Sequence, residues 1–156
     1  MPSPTHFLDV PPRSPESPRQ LADRRALVEL VRRMADATTA EGLTECWRPD
    51  VVWFDTITLV RRGTAALADY RAQHTTITNL RTRILDVDAY ADGDVGFAFS
   101  IQHFRADGIN GGKDIDFVFR ATDCFLREND SWEVKHQHVS LPFDLQTNQV
   151  IMDSEV

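Results

Sequence analysis

The sequence predicts an α+β fold in which three helices pack on one face of a curved, antiparallel sheet. Three observations carry that reading. Helical periodicity dominates the first half of the chain, a period of two takes over from about residue 80, and turn signals separate four long period-two stretches. Helices first and a meander second give segregated layers rather than alternating βαβ units. With 156 residues, 42% of them hydrophobic and 26% charged, the chain has material for one domain with a real core.

Six of the eight prolines fall within the first eighteen residues, among Ser, Arg and Glu. Residues 1–19 therefore read as a flexible arm that buries too little apolar surface to offset its ordering entropy. Phe7, Leu8 and Val10 are the arm's docking candidates, toward the body or a neighbouring subunit. From Pro18, Leu21, Leu27, Val28, Leu30, Val31, Met34 and Ala35 recur at steps of three and four, which predicts the first helix. A short second helix is expected at about 40–47, ended by Pro49-Asp50. Val51-Val52-Trp53-Phe54-Asp55 then reads as a strand through its β-branched and aromatic residues. Gly63-Thr64 opens a third helix, with Thr64 as cap and Leu67 and Tyr70 inside. Four strands follow at about 80–90, 94–105, 114–127 and 131–141. Ala91-Asp92-Gly93, the Gly-rich 107–112 and Glu128-Asn129-Asp130 connect them. The domain is expected to span 20–144, and 145–156 to be a tail.

Composition excludes several classes. A net charge of −7 disfavours a phosphate-backbone partner, so no nucleic acid is expected. No apolar run approaches the roughly 18 residues of a membrane helix, and no secretory signal core is present. Two cysteines, Cys46 and Cys124, give no disulfide framework, and a reducing cytoplasm is expected. Arg outnumbers Lys 15 to 2, which reads as codon bias.

Strand alternation sorts the chemistry-bearing residues by face. Val95, Phe97, Phe99, Ile101 and His103 share one parity. Ile115, Phe117, Phe119, Ala121, Asp123 and Phe125 share another, and Trp132, Val134, His136, His138 and Ser140 a third. Val51, Trp53 and Asp55 align on the first strand. Taking the apolar parity as inward places Asp123, His103, His136 and His138 among aromatics, where an ionisable group must pair, shift its pKa or do chemistry. Asp123 could equally be a buried structural pair with Arg120 or a histidine, and Asp55 a turn cap. His136-x-His138 also has metal-ligand spacing, but a third ligand would have to come from His103 or Asp123. No metal and no cofactor are expected.

Two blocks carry a family resemblance. Trp47-Arg48-Pro49-Asp50-Val51-Val52-Trp53-Phe54-Asp55 resembles the stretch after the second helix in ketosteroid-isomerase-like proteins. Arg120 to Arg127 and then Trp132 to Pro142 resemble the C-terminal hairpin of SnoaL-like members. The resemblance spans about 20–144. It implies the nuclear-transport-factor-2-like cone: a curved sheet closed by helices around an apolar pocket, often dimeric through the sheet. Asp55 resembles the proton-shuttling carboxylate of steroid isomerases. Asp123 resembles their second carboxyl and the acid/base Asp of SnoaL-like cyclases; ketosteroid isomerase is a standard illustration of two Asp residues divided between base and donor. The isomerases' oxyanion-hole tyrosine has no counterpart in the first helix, and the only tyrosines are Tyr70 and Tyr90.

The function expected is therefore a cofactor-free acid/base enzyme, an isomerase, dehydratase or cyclase acting on a small, largely apolar carbonyl compound. A bacterial natural-product pathway fits the Arg-rich composition. Asp55, Asp123, His103 and His138 are the candidate catalytic residues, and Trp53, Phe97, Phe99, Phe119, His136 and Tyr70 the candidate ligand-binding ones. The alternative is a non-catalytic ligand-binding or assembly module, as in the association domain of calmodulin-dependent kinase II. A homodimer is expected in either case.

Overall fold

The computed structural model of the chain describes residues 14–56, 61–73, 77–108 and 112–152. Helix α1 spans Pro18–Ala35. Its start is set by a capping box: Ser17 Oγ accepts from the Gln20 backbone N at 3.2 Å, and Gln20 Oε1 accepts from Ser17 N at 2.9 Å. Proline at the first helical position costs nothing there, because its missing N–H would have had no helical partner. The arm expected before the helix lies, through residue 13, outside the described residues. Helix α2 is a single turn, Ala40–Leu43, and α3 spans Gly63–Gln73. Thr64 Oγ1 donates to the Pro49 carbonyl at 3.3 Å, tying the start of α3 to the first strand.

Strands β1 (Trp47–Phe54), β2 (Arg61–Arg62), β3 (Ile77–Asp92), β4 (Val95–Gly108), β5 (Ile115–Glu128) and β6 (Ser131–Ser140) form a curved sheet in the order β2-β1-β6-β5-β4-β3. The meander β3–β6 is antiparallel throughout, as the turn signals predict. The sheet is mixed rather than wholly antiparallel, because β1 joins β6 in parallel, at the end of the crossover that begins with α3. A two-stranded ribbon, β7 (Phe143–Asp144) with β8 (Gln149–Val150), follows. Beyond it Met152 O accepts from Val118 N at 3.1 Å, on the stretch of β5 that β6 no longer covers.

Helix α1 packs against β3 and β4, and burial of Leu27, Leu30, Val31 and Met34 forms the centre of the core with Trp53, Phe125 and Val134. The seat for α1 is made of small residues. A Cβ at Gly96 would stand 2.5 Å from Leu27 Cδ1 and 3.0 Å from the Tyr90 carbonyl, so any larger residue forces Leu27 aside and crowds the helix. Ala89 and Ala98, both fully buried, continue the same surface.

The close approach makes a stability prediction. Gly96→Val should overpack the α1 seat and cost about 1–3 kcal/mol. A urea melt would read this as a lower midpoint at unchanged slope. A wild-type midpoint would show that α1 does not depend on the contact.

Candidate active site

The inner face of the sheet runs from the α1 seat into a cavity of about 600 Å³, a size suited to a small molecule. Met34, Ala35 and Leu43 line it from the helices, and Trp47, Trp53 and Tyr70 form an aromatic corner. In that corner the Trp47 and Trp53 rings meet edge-on at 4.9 Å, and Tyr70 stacks on Trp47 at 6.0 Å. Phe104, Phe117 and Phe119 supply the sheet wall, and Val139, Leu141 and Met152 close the far side. The polar atoms come from Asp55, Thr56, Thr82, Gln102 and Gln137 as well as Tyr70. Asp55 is the one carboxylate in this lining among the described residues.

Of the residues singled out in the sequence, Asp55, Trp53, Tyr70 and Phe119 line the cavity. Asp123 is fully buried on the same face but is not part of the lining. Its cross-strand neighbour Gln137 is the residue that reaches the cavity, and Gln137 Nε2 donates to Asp123 Oδ1 at 2.8 Å. Asp123 Oδ2 has no partner among the described residues. Burial disfavours the charged form and pushes this carboxyl up to about 6, with the Gln137 hydrogen bond pulling the other way. The same burial, helped by the Asp123 charge, raises the Cys46 thiol to about 12 and makes it inert as a nucleophile.

Five other residues expected inward lie on the outer face. On β4 the inward parity is Gly96, Ala98, Ser100, Gln102 and Phe104, so Phe97, Phe99 and His103 point away from the cavity. The reason is the α1 seat: the small residues face the helix, and the large aromatic ones take the opposite side. Phe97 and Phe99 stack on Tyr90 at 5.2 and 6.4 Å. His103 Nε2 lies 2.6 Å from Asp116 Oδ1, and this contact, ahead of Arg105, holds the Asp116 carboxyl below its usual range.

On β6 a β-bulge at Lys135 reverses the parity partway along the strand. Val134 pairs with Phe125, but His136 pairs with Cys124, so one residue is extra. Trp132 and Val134 therefore share a face with Gln137 and Val139, and His136 and His138 move outside. His136 Nδ1 meets the Val52 carbonyl at 2.8 Å, and both rings sit edge-on to Phe54. The bulge is matched on β1, whose register also shifts between Trp47 and Val52. Lys135 Nζ reaches Asp50 Oδ2 at 2.5 Å, fixing the two irregularities against each other. Among the described residues no three His, Cys, Asp or Glu side chains are grouped to hold a metal ion, and no helix is long and apolar enough to cross a membrane.

Sequence reasoning missed Gln137 and Gln102, the two amides of the cavity. The bulge hid the first, and the size of Phe97 and Phe99 hid the second. The run of small residues at 96, 98 and 100 was the available signal for β4, since a helix seat needs low side chains.

The model of the SnoaL-like domain family matches residues 25–144. The chain belongs to the SnoaL-like family. No curated protein matches the sequence significantly. A nuclear-transport-factor-2-like protein of unknown function from Pseudomonas putida superposes with a TM-score of 0.70 at 23% identity, over 87% of this chain and 98% of that one. A hexachlorocyclohexane dehydrochlorinase gives 0.66 at 13% identity, over 87% and 92%. The association domain of calmodulin-dependent kinase II from C. elegans gives 0.62 at 16% identity, over 80% and 99%. These likenesses establish the SnoaL-like domain's cone fold and leave the chemistry to its cavity.

Asp123 makes a testable contribution to stability. Its folded-state pKa of about 6 lies above the roughly 3.9 of an unfolded chain, so the folded protein holds a proton that the unfolded chain releases. Its contribution thus rises as pH falls from about 6 to about 4, and is lost as pH rises through 6. The size is on the order of 2–3 kcal/mol. Asp50 and Asp116, held low by Lys135 and by His103, act in the opposite sense. The comparison between wild type and Asp123→Asn isolates the effect: the variant should gain most in urea midpoint at pH 7.5 and least at pH 4.5. Equal gains at both pH values would mean that Asp123 does not titrate in this window.

Proposed function

We propose that the SnoaL-like cavity is the active site of a cofactor-free acid/base enzyme acting on a small, largely apolar carbonyl compound. The observation that carries the reading is the single carboxylate among the described residues of the lining, Asp55, in a mostly aromatic and aliphatic cavity whose other polar residues, Thr56, Thr82, Gln102, Gln137 and Tyr70, are uncharged. An apolar wall excludes water from a bound substrate and strengthens whatever polar contact remains. In this reading Asp55 removes the proton on the carbon next to the carbonyl. The electron pair moves onto the carbonyl oxygen, and a donor such as Tyr70 stabilises the enolate. Return of the proton at another carbon gives isomerisation; its transfer from the Asp55 carboxyl to a departing β-hydroxyl, as the enolate electron pair forms the C=C bond, releases water and gives dehydration. His103 and His138, on the outer face, take no part.

Proton abstraction can be followed without the native substrate. In D₂O the protein should accelerate α-deuteration of 2-tetralone, read by mass spectrometry. Asp55→Asn should reduce the enzyme-dependent rate about 10²-fold or more, since an amide cannot relay a proton. Undiminished exchange by a folded Asp55→Asn protein would remove Asp55 from the mechanism.

We also infer a homodimer formed through the outer face of the sheet. Phe97 is 43% exposed and lies beside Phe99; across Cys124 and Thr122 of β5 the stripe resumes at His136 and His138 of β6 and Phe54 of β1. An aromatic band of this kind on an otherwise acidic chain suits a second copy of itself, since the same surface then covers both. Phe97→Glu should shift the light-scattering mass from dimer to monomer without loss of fold; a monomeric wild type at micromolar concentration would refute the interface.

A further inference from the structure

The two amides of the cavity share an arrangement that has a chemical consequence. Each spends its nitrogen on a polar group beside it on the sheet. Gln137 Nε2 donates to Asp123 Oδ1 at 2.8 Å, and Gln102 Nε2 to Ser100 Oγ at 2.7 Å, both on the inner face. A primary amide has its donors and its acceptor on opposite arms, so committing the nitrogen turns the carbonyl oxygen the other way. For Gln137 the choice is forced by chemistry at pH above about 6, where Asp123 is ionised, because a carboxylate can only accept. Ser100 can do either, so Gln102 follows the pattern without being locked to it. Asp123 contributes no atom to the lining, is fully buried, and has one oxygen without a partner among the described residues.

We propose that Asp123 is a positioning residue that holds the Gln137 carbonyl oxygen toward the cavity, so that the cavity selects ligands carrying a hydroxyl or N–H donor. The site then offers acceptors at Gln137, Gln102 and Asp55, beside the hydroxyl-bearing Thr56, Thr82 and Tyr70, on walls that are otherwise aromatic and aliphatic. Its ligand class is an apolar ring or chain bearing a hydroxyl, and under the function proposed above this is a hydroxylated carbonyl compound. An ether or plain hydrocarbon of the same shape would leave the Gln137 oxygen desolvated and unmatched, which is where the selectivity arises. The inference rests on the cavity being the ligand site, but it concerns equilibrium binding and is read independently of turnover.

A matched pair of probes tests it: 2-naphthol, which can donate, and 2-methoxynaphthalene, which cannot. Binding is followed at pH 7.5 by titration calorimetry, with quenching of the cavity tryptophans as a second signal. Wild type should prefer 2-naphthol by about tenfold. Gln137→Leu should bring the ratio close to one while keeping or improving affinity for the ether, which certifies an intact cavity. Asp123→Asn should lower the ratio partway, because an amide neighbour lets Gln137 turn either arm inward. His103→Gln, on the outer face beside Asp116, should leave the preference in place. Equal binding of the two probes by wild type, binding of neither at millimolar concentration, or a preference that survives Gln137→Leu but vanishes in Asp55→Asn would overturn the proposal. Exchange that the wild type does not accelerate, or that Asp55→Asn does not diminish, with the preference intact, would instead sink the catalytic reading and leave this one standing.

Discussion

The cavity depends on the bulge at Lys135. Side chains on a strand alternate, so a single extra residue exchanges the two faces for everything beyond it. In β6 that exchange puts Gln137 and Val139 on the inside and sends His136 and His138 out. A regular β6 would set a histidine against the buried Asp123 and give the interior an ion pair. The bulge gives it a carboxyl–amide pair instead, and the charge stays isolated behind an uncharged side chain. Pro49 explains where the irregularity falls: it cannot donate to a neighbouring strand, so the β1 ladder is interrupted beside it. Arg48 and Lys135 then clamp Asp50 at the surface, Arg48 Nε at 3.0 Å from Asp50 Oδ1, and hold the two bulges in register.

A second constraint acts along the same face. One end of the inner surface must admit α1 closely, and the other must stand clear of the helices to leave a cavity. Side-chain size does both. Gly96, Ala98 and Ser100 keep β4 low beneath the helix, while Phe104, Phe117 and Phe119 fill the wall where no helix covers the sheet. Arg127 anchors the closed end, pairing with Asp23 of α1 at 2.5 Å and lying 4.3 Å over the Trp132 ring.

Most of the architecture was legible because its signals are local. The strand limits follow from turn residues, and Asn129 and Asp130 indeed adopt the positive φ that the β5–β6 turn requires. Parity on β5 was legible too, since Phe117, Phe119, Ala121 and Asp123 alternate with Val118, Arg120 and Thr122, two of which are polar and exposed. What could not be read was parity that depends on a partner element. The preference for apolar residues inside fails on β4, where the inner stripe is small to seat α1 and the outer stripe is aromatic. On β6 the failure is a register event, and no residue type between Trp132 and His138 announces it. Strand β8 and the placement of Met152 in the cavity wall lie beyond the family domain, where the resemblance had nothing to say.

Ionised, at pH above about 6, Asp123 costs the fold stability. A buried carboxyl with one neutral partner lacks the compensation that water or a cation would supply, and an asparagine or a leucine would fill the space at less expense. Groups of this kind persist where function needs them more than folding does. The geometry says what such a need could be. A glutamine alone in an apolar wall would turn its amide freely, presenting donor or acceptor to whatever entered. One carboxylate, acceptor-only and held out of the ligand's reach, removes that freedom without adding a charge to the cavity. The instability of Asp123 and the orientation of Gln137 are then two faces of one arrangement, in which burial supplies the constraint and the amide carries it to the ligand.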